Sequence, residues 1–323
     1  MRAVAISEYG DPDVLDVIDR DRPSPDAGEL LIEVDAAGIN FADLQQRMGT
    51  YVGGPEPPFV PGFEVAGRVV EAGDGVSIPE GTTVAGTCKG GGYAEYAIAD
   101  ARSVFPVPTG LSAAEAAGVT VHFLTAHGCL FDRGGLESGE RVLIHAAAGG
   151  VGSAAVQLAA TAGAEVFGTA SSEEKLEHIR SLGCDHAINY EQTDFADEIA
   201  TVTDGDGIDL IIDGVGGDVF RSSMDALAHF GRLVTMGIAT HDPASASSLD
   251  LLYNNQQVIG FHLGNTIARD PERALAPLSV LLERLAGGEL EVVIGREYPL
   301  EQAAEAHRWI ESRSSIGKVI LTP

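Results

Sequence analysis

The stretch that most constrains the fold is an apolar run, Val142 to Ile144, that passes through His145 into a turn of small residues. The turn consists of Ala146, Ala147, Ala148, Gly149, Gly150, Val151 and Gly152, and small residues from Ser153 to Ala159 follow it. This order predicts a buried strand, a tight turn and the start of a helix. Such a turn presents backbone N–H groups and the positive end of the helix dipole, which suits a pyrophosphate.

The segment after this helix supports a nucleotide-binding interpretation. Residues 164–170 form a second apolar run, which completes a strand–helix–strand unit of the expected size. Ala147 replaces the first glycine of the usual G-x-G-x-x-G pattern, whereas Gly149 and Gly152 keep the other two positions. The context favours a dinucleotide-binding turn, and the alternative is a glycine-rich connection without a ligand.

The charge balance limits the partners of this chain. Its 323 residues contain 48 acidic and 20 basic side chains, a formal net charge of −28. Nucleic acids and anionic membrane surfaces would repel such a surface, so we expect neither as a partner. Lys89, Lys175 and Lys318 are the only lysines. An acidic excess with few lysines suggests adaptation to high salt, where screening relieves the self-repulsion of the folded state.

Cysteine usage and the N-terminal sequence indicate a cytoplasmic protein. Cys88, Cys129 and Cys184 lie far apart and are odd in number, so a disulfide framework is not expected. The chain opens with a short strand-like run followed at once by charge, and we find neither a signal peptide nor a membrane span.

The pattern along the chain predicts two kinds of domain. Glycine, proline and short apolar runs dominate the first third and predict a mostly β domain, interrupted by a helix at residues 41–48. From about Ala113, strands alternate with helices, which predicts a parallel sheet covered by helices. An amphipathic helix is expected over residues 271–285, and the closing strand at residues 317–321 would find its partner in the first domain.

Four motifs together resemble a known family. They are the run from Gly38 to Asp43, the run from Pro61 to Gly67, the turn from Ala146 to Gly152, and Gly317-Lys318-Val319. Over essentially the whole chain they are similar to the zinc-independent quinone oxidoreductase branch of the medium-chain dehydrogenase/reductase superfamily. The resemblance implies an α/β fold in which a GroES-like β-barrel catalytic domain (1–118) is joined to a Rossmann doubly wound parallel sheet (119–262). A C-terminal segment (263–323) returns to the catalytic domain.

The resemblance also allows a prediction of whether the chain binds zinc. Zinc-dependent alcohol dehydrogenases have a cysteine where this chain has Asn40 and a histidine where it has Phe63. Glu64 remains, but one carboxylate cannot hold Zn²⁺. We therefore expect no metal. Without a Lewis acid, reduction of an already electrophilic acceptor is favoured over alcohol oxidation.

The end of the second strand of the unit favours NADPH over NADH. An NAD enzyme places an acidic residue there, whereas this chain has Ser171 and Ser172 after Ala170. The two serines and Lys175 would bind the 2′-phosphate, and Tyr190 matches a family position beside it. The alternative for Lys175 is a solvated helix residue.

The resemblance assigns the remaining site residues. Asn40 would reach the nicotinamide ribose or the substrate carbonyl, or else cap the helix that follows it. Thr125 would lie beside the nicotinamide carboxamide, and Tyr51 would line the acceptor site, by a hydrogen bond or by packing. Arg313 would reach the cofactor, or else form a surface salt bridge. Other matched cofactor-binding positions are Val215, Gly237, Ile238, Phe261, His262 and Leu263.

These observations predict an NADPH-dependent, zinc-free reductase that transfers hydride to a quinone or another activated α,β-unsaturated carbonyl. Two alternatives remain, an enoyl-thioester reductase and a non-catalytic NADPH-binding protein. The expected partners are a small-molecule substrate and a second copy of the chain, because homodimers are usual in this family.

Overall fold

The computed structural model describes residues 1–88 and 90–323, which divide into two compact units. Unit 1 comprises residues 1–121 and 278–323, and unit 2 comprises residues 122–277. None of the helices in these described ranges has both the length and the apolar composition that a membrane crossing requires.

The N-terminal part of unit 1 is built mainly of strands. Its strands are β1 (Arg2–Ile6), β2 (Leu15–Asp19), β3 (Glu29–Ile39), β4 (Glu64–Ala72), β5 (Thr83–Thr87), β6 (Tyr96–Asp100) and β7 (Val104–Pro106). Its helices are α1 (Phe41–Met48) and α2 (Ala113–Ala117). Gly49 ends α1 in the left-handed conformation, with φ of 74°, which a glycine adopts without strain.

Unit 2 alternates helices and strands. It contains most of α3 (Thr120–His127), which a π-helical turn at Gly128–Arg133 continues. The later elements are β8 (Arg141–Ile144), α4 (Gly150–Thr161), β9 (Glu165–Ala170), α5 (Glu173–Ser181), β10 (His186–Asn189), α6 (Phe195–Val202), β11 (Ile208–Asp213), α7 (Gly217–Ala226), β12 (Leu227–Thr235), α8 (Ser248–Asn254), β13 (Gln257–Gly260), α9 (Leu263–Arg269) and α10 (Pro271–Leu275).

The sheet of unit 2 is parallel and doubly wound. Its strand order is β10-β9-β8-β11-β12-β13, and every neighbouring pair is parallel. The inner strand β8 contains a continuous apolar run, and its residues Val142, Leu143 and Ile144 are fully buried. A sheet that is covered on both faces requires such a strand. The order reverses beside β8, and ligands of such sheets bind at the carboxyl ends of the strands near this point.

The chain then returns to unit 1 with α11 (Leu278–Ala286), β14 (Ile294–Pro299), α12 (Ala303–Glu311) and β15 (Lys318–Thr322). The main sheet of this unit has the order β14-β15-β3-β4-β5-β7, and β6 also pairs with β3. Antiparallel pairing of Val319 with Ile39 brings the start of β15 to the end of β3. Leu30, Val65, Val84 and Leu321 are among the fully buried residues of its core.

One predicted helix is wrong in the structure. The expected helix over residues 271–285 is interrupted, because α10 ends at Leu275 and α11 begins at Leu278. Pro277 lies between them, and a proline inside a helix removes a backbone hydrogen bond and clashes with the preceding turn.

Candidate active site

The turn after β8 holds the start of α4 in a fixed position. The N–H of Gly149 donates to the carbonyl of Ala146 at 3.0 Å, and the N–H of Ser153 donates to Gly149 at 2.7 Å. Gly150, Val151 and Gly152 are the first three residues of α4, whose N–H groups have no partner within a helix. The start of α4 can therefore bind an anion through its backbone and its dipole.

Two glycines of this turn are required by close packing. A Cβ atom at Gly152 would lie 2.3 Å from the carbonyl oxygen of Ala146 and 2.6 Å from the Cα of Ala147. A Cβ atom at Gly150 would lie 1.7 Å from the imidazole Cε1 of His122. Gly152 thus allows the helix to approach the strand, and Gly150 accommodates the buried ring of His122.

The polar residues after β9 form a small cluster at the start of α5. Ser172 is the N-cap residue, and its Oγ accepts from the backbone N–H of Lys175 at 3.4 Å. The N–H of Tyr190, after β10, donates to the carbonyl of Ala170 at 3.2 Å, so both strand ends meet here. Burial lowers the pKa of the half-buried Lys175. No carboxylate occupies the position directly after β9, where Ser171 lies.

The loops after β11 and β12 are bound to each other. The buried carboxylate of Asp213 accepts from the N–H groups of Val215 at 2.7 Å and Gly216 at 3.2 Å, which bends the first loop. The second loop adds a bond from the N–H of Ala239 to the carbonyl of Gly214 at 3.0 Å. Val215, Gly237 and Ile238 are thereby brought together.

The residues after β13 lie next to the end of β12. The N–H of Phe261 donates to the carbonyl of Thr235, at the end of β12, at 2.9 Å. His262 caps α9, since its Nδ1 accepts from the N–H of Asn265 at 3.0 Å, and Leu263 is the first residue of that helix. The candidate residues that follow the strands of unit 2 therefore occupy the carboxyl edge of one sheet. Thr125 lies on α3, half-buried.

In unit 1, Asn40 is held by four neighbours. Its N–H donates to the carboxylate of Asp43 at 2.7 Å. Its side-chain Nδ2 donates to Glu64 Oε1 at 3.1 Å and to the carbonyl of Gly38 at 3.3 Å. Its Oδ1 accepts from Lys318 Nζ at 2.8 Å. Asn40 is the residue that precedes α1, and its side chain is oriented by Glu64 and Lys318.

The ammonium of Lys318 forms a buried ion pair with the carboxylate of Glu64. Glu64 Oε2 also accepts from the N–H of Val121 at 2.8 Å. Burial lowers the pKa of Lys318, and the adjacent carboxylate opposes that shift. A Cβ atom at Gly38 would lie 2.5 Å from Lys318 Cε and 2.8 Å from Glu64 Oε1, so only glycine leaves room for the pair.

Asp43 and Tyr51 lie near this cluster. Asp43 accepts from the N–H of Gly62 at 3.0 Å, and burial raises its pKa to about 7. The half-buried ring of Tyr51 lies 5.7 Å from the ring of Phe63, and burial raises the pKa of its phenol. Arg313, by contrast, is exposed just beyond the end of α12, with a φ of 56°.

The residues that the resemblance aligns with zinc ligands do not suit zinc. The Asn40 amide and the Phe63 ring are not zinc ligands, and both oxygens of Glu64 already accept hydrogen bonds. Among the residues that the structure describes, no group of three or more His, Cys, Asp or Glu side chains is placed to hold a metal ion.

Three side chains of the site were not singled out from the sequence. In the sequence analysis Lys318 belongs only to the motif Gly317-Lys318-Val319, although a lysine beside the apolar run Val319-Ile320-Leu321 signals a buried cation that needs a partner. His122 and Asp213 gave no such signal, because their roles depend on packing against Gly150 and on the bend of the loop after β11.

Comparisons with known proteins identify the family. Residues 26–109 match the alcohol dehydrogenase GroES-like domain, and residues 150–279 match the zinc-binding dehydrogenase family. The chain is 35% identical to the quinone oxidoreductase-like protein 2 homolog of Nematostella vectensis, over 99% of this chain and 88% of that protein.

Two solved structures extend this similarity. The Escherichia coli quinone oxidoreductase complexed with NADPH superimposes with a TM-score of 0.94 at 29% identity, covering 100% of both chains. The CurK enoyl reductase superimposes with a TM-score of 0.89 at 31% identity, covering 99% of this chain and 98% of that one. The predicted fold class, a GroES-like domain with a Rossmann-type parallel sheet, is confirmed. The chain therefore belongs to the medium-chain dehydrogenase/reductase superfamily of oxidoreductases and is similar to its quinone oxidoreductase-like members.

Proposed function

We propose that this protein reduces a quinone or another activated α,β-unsaturated carbonyl with NADPH, by direct hydride transfer and without zinc. The observation that carries the proposal is the row of candidate residues along the carboxyl edge of the parallel sheet, with the glycine turn of α4 at the point where the strand order reverses. The similarity to an NADPH complex of a quinone oxidoreductase supports it.

The order of the strands supports the following roles. The backbone of residues 149–152 would bind the pyrophosphate, between an adenosine end at β9 and β10 and a nicotinamide end at β11, β12 and β13. At the nicotinamide end, the backbones of Val215, Gly237, Ile238, Phe261, His262 and Leu263 would hold the carboxamide, together with Thr125. Arg313 would reach the cofactor.

NADPH is preferred over NADH because the adenosine end provides hydroxyls and a cation. Ser171, Ser172 and Lys175 can bind a 2′-phosphate, whereas the carboxylate that would accept from a ribose hydroxyl is absent from the position after β9. Tyr190 lies at the same place through its bond to Ala170.

The chemistry needs few protein groups. NADPH, when bound, supplies the hydride, and the protein must hold the acceptor close to it. Tyr51 would line the acceptor site, and Asn40 would bind the nicotinamide ribose or the substrate carbonyl. A water molecule would protonate the reduced product. No step needs a Lewis acid, because a quinone or enone is already electrophilic.

Consumption of NADPH by the purified protein in molar salt tests the proposal. We expect the absorbance of the reduced nicotinamide to fall when a quinone or a simple enone is supplied as acceptor. The similarity to the CurK enoyl reductase favours one alternative, which predicts turnover of enoyl thioesters alone. NADPH binding without turnover of any of these acceptors would refute catalysis and favour a non-catalytic NADPH-binding protein.

We further propose a homodimer in a salt-rich, reducing cytoplasm. β13 is an edge strand of its sheet, and α8, which contacts the neighbouring β12, exposes Leu249, Leu252 and Tyr253, the last by 75%. Exposed apolar groups next to an unpaired strand edge fit a second copy of the chain. The three cysteines are buried thiols, and the net charge of −28 fits high salt.

A further inference from the structure

Ala146, in the turn between β8 and α4, has an unusual backbone conformation. Its φ is 50°, in the left-handed region that an alanine adopts only with strain. Its carbonyl accepts from the N–H of Gly149 at 3.0 Å, directly before the start of α4. The neighbours of Ala146 must therefore hold it in a conformation that it would otherwise leave.

Thr169, near the end of β9, binds the residues on both sides of Ala146. Its carbonyl accepts from the N–H of Ala147 at 3.0 Å. Its hydroxyl oxygen lies 3.1 Å from Nδ1 of His145. The backbone N–H of His145 also donates to the carbonyl of Ile212, on β11, at 3.1 Å. Ala146 thus lies between two residues that the neighbouring strands hold in place.

A third side chain determines which nitrogen of His145 carries the proton. The hydroxyl of Ser223, on α7, donates to the carbonyl of Val219 at 2.6 Å, since a carbonyl can only accept. The serine oxygen must then accept from Nε2 of His145, at 2.8 Å. Burial lowers the pKa of His145 to about 3, so the ring is neutral and its Nδ1 has no hydrogen. The hydroxyl of Thr169 therefore donates to Nδ1.

We propose that His145 and Thr169 are positioning residues that keep Ala146 in the left-handed conformation and thereby fix the start of α4 for the pyrophosphate of the cofactor. The inference rests on the proposed function and deepens it, because it assigns the geometry of the anion-binding turn to a pair of buried side chains. His145 is 3% exposed and Thr169 is 2% exposed, so water does not compete freely for the bond between them.

The test compares three variants of these bonds. Thr169→Val keeps the shape of the side chain and removes its hydroxyl, whereas Thr169→Ser keeps the hydroxyl. Ser223→Ala is the matched control, because it removes the other buried hydrogen bond of the same imidazole. In Ser223→Ala the ring proton can move to Nδ1 and donate to Thr169, so that the bond to Thr169 persists.

Two measurements are made on each variant. Dissociation constants for NADPH and NADH are obtained by fluorescence titration. Hydrogen exchange of the backbone amides of residues 146–152 is followed without cofactor, which reports on the turn independently of binding. Imidazole ¹⁵N shifts of the wild-type protein show which nitrogen of His145 is protonated.

We expect Thr169→Val to weaken the binding of NADPH and NADH by the same factor, about fivefold or more, because the pyrophosphate is common to both. Exchange at residues 146–152 should become about tenfold faster. Thr169→Ser and Ser223→Ala should each stay within about twofold of the wild-type protein in both measurements. The ¹⁵N shifts should place the proton on Nε2.

Ala146→Gly provides a second background for the same comparison. Glycine adopts the left-handed conformation without strain, so Thr169→Val should weaken NADPH binding by less than about twofold in Ala146→Gly. Because this background removes the strain at residue 146, it also supplies the comparison if Thr169→Val alone does not fold.

Four results would overturn the inference while leaving the proposed function in place. They are unchanged affinity and exchange in Thr169→Val, an equal loss in Ser223→Ala, a full effect of Thr169→Val in the Ala146→Gly background, and a proton on Nδ1 of wild-type His145. The second is the result that a merely structural role would produce. A wild-type protein that binds neither cofactor would refute the proposed function, and amide exchange would then still show whether Thr169 fixes the turn.

Discussion

Gly152→Ala should disable the turn that we propose to bind the pyrophosphate. The added Cβ atom would lie 2.3 Å from the carbonyl oxygen of Ala146 and 2.6 Å from the Cα of Ala147, whereas real Cβ atoms stay at least 3.0 Å away. Both neighbours are backbone atoms and cannot rotate aside. The start of α4 must therefore move away from β8, and its N–H groups move with it.

The magnitude follows from the hydrogen bonds that depend on these groups. A hydrogen bond to a charged partner contributes about 1.5–3 kcal/mol, and it weakens steeply with displacement and misalignment. Loss of two of them at the start of α4 weakens NADPH binding by about 3 kcal/mol or more, a rise of about 150-fold in the dissociation constant. Overpacking also costs about 1–3 kcal/mol of stability.

Isothermal titration with NADPH, with thermal unfolding in parallel, measures both effects. Gly149→Ala is the matched control, because its Cβ atom would lie 3.3 Å from the same Ala146 oxygen and needs only a small adjustment. Gly149→Ala should keep the wild-type unfolding temperature, so any loss of affinity there reports direct contact with the ligand. A Gly152→Ala protein that unfolds like wild type and binds NADPH within about threefold of it would refute the argument.

Four further predictions address other parts of the molecule. Lys175→Ala should raise the KM for NADPH by about tenfold or more through loss of a charged contact, and leave that for NADH unchanged; equal effects on both cofactors would count against the 2′-phosphate assignment. Treatment with a zinc chelator should leave activity unchanged, and inactivation that added zinc reverses would overturn our interpretation of Asn40, Phe63 and Glu64. Burial lowers the pKa of His145 from 6.5 to about 3. The unfolded chain therefore takes up that proton first, and as pH falls from 6.5 toward 3 this residue removes up to about 1.4 kcal/mol of unfolding free energy per pH unit. Imidazole ¹⁵N shifts should show a neutral His145 ring at pH 5. A His145 ring that titrates near pH 6.5 would contradict this prediction. Sedimentation in molar salt should show a dimer, and Leu252→Glu on the exposed face of α8 should shift it toward monomer; a wild-type monomer would disprove the dimer.

Local patterns were enough to predict much of unit 2. The run from Val142 to Gly152 predicted β8, the turn and the start of α4, and the alternation beyond it predicted the parallel sheet. The helix at residues 41–48 has the predicted bounds. These features depend on hydrophobic periodicity and on glycine, which act over a few residues. Pro277 was a visible warning against a continuous helix over residues 271–285.

The arrangement around Asn40 could not be predicted in the same way. Lys318 bonds to an amide 278 residues earlier in the chain, and only the pairing of β15 with β3 brings the two together. His122 over Gly150 and Asp213 beneath the loop at Val215 depend likewise on tertiary packing. Periodicity identifies the faces of elements, but it does not identify which polar side chains meet when the elements assemble.

The position of β15 has a consequence for how the molecule is made. This strand lies between β14 and β3 within the sheet of unit 1, yet along the chain it follows the whole of unit 2. On the ribosome, residues 122–277 are available to fold before β15 has been synthesised, while β3 still lacks one of its neighbours. Unit 1 must remain incomplete during that interval, and residues 37–39 of β3 have an unpaired edge that chaperones or other nascent chains can capture.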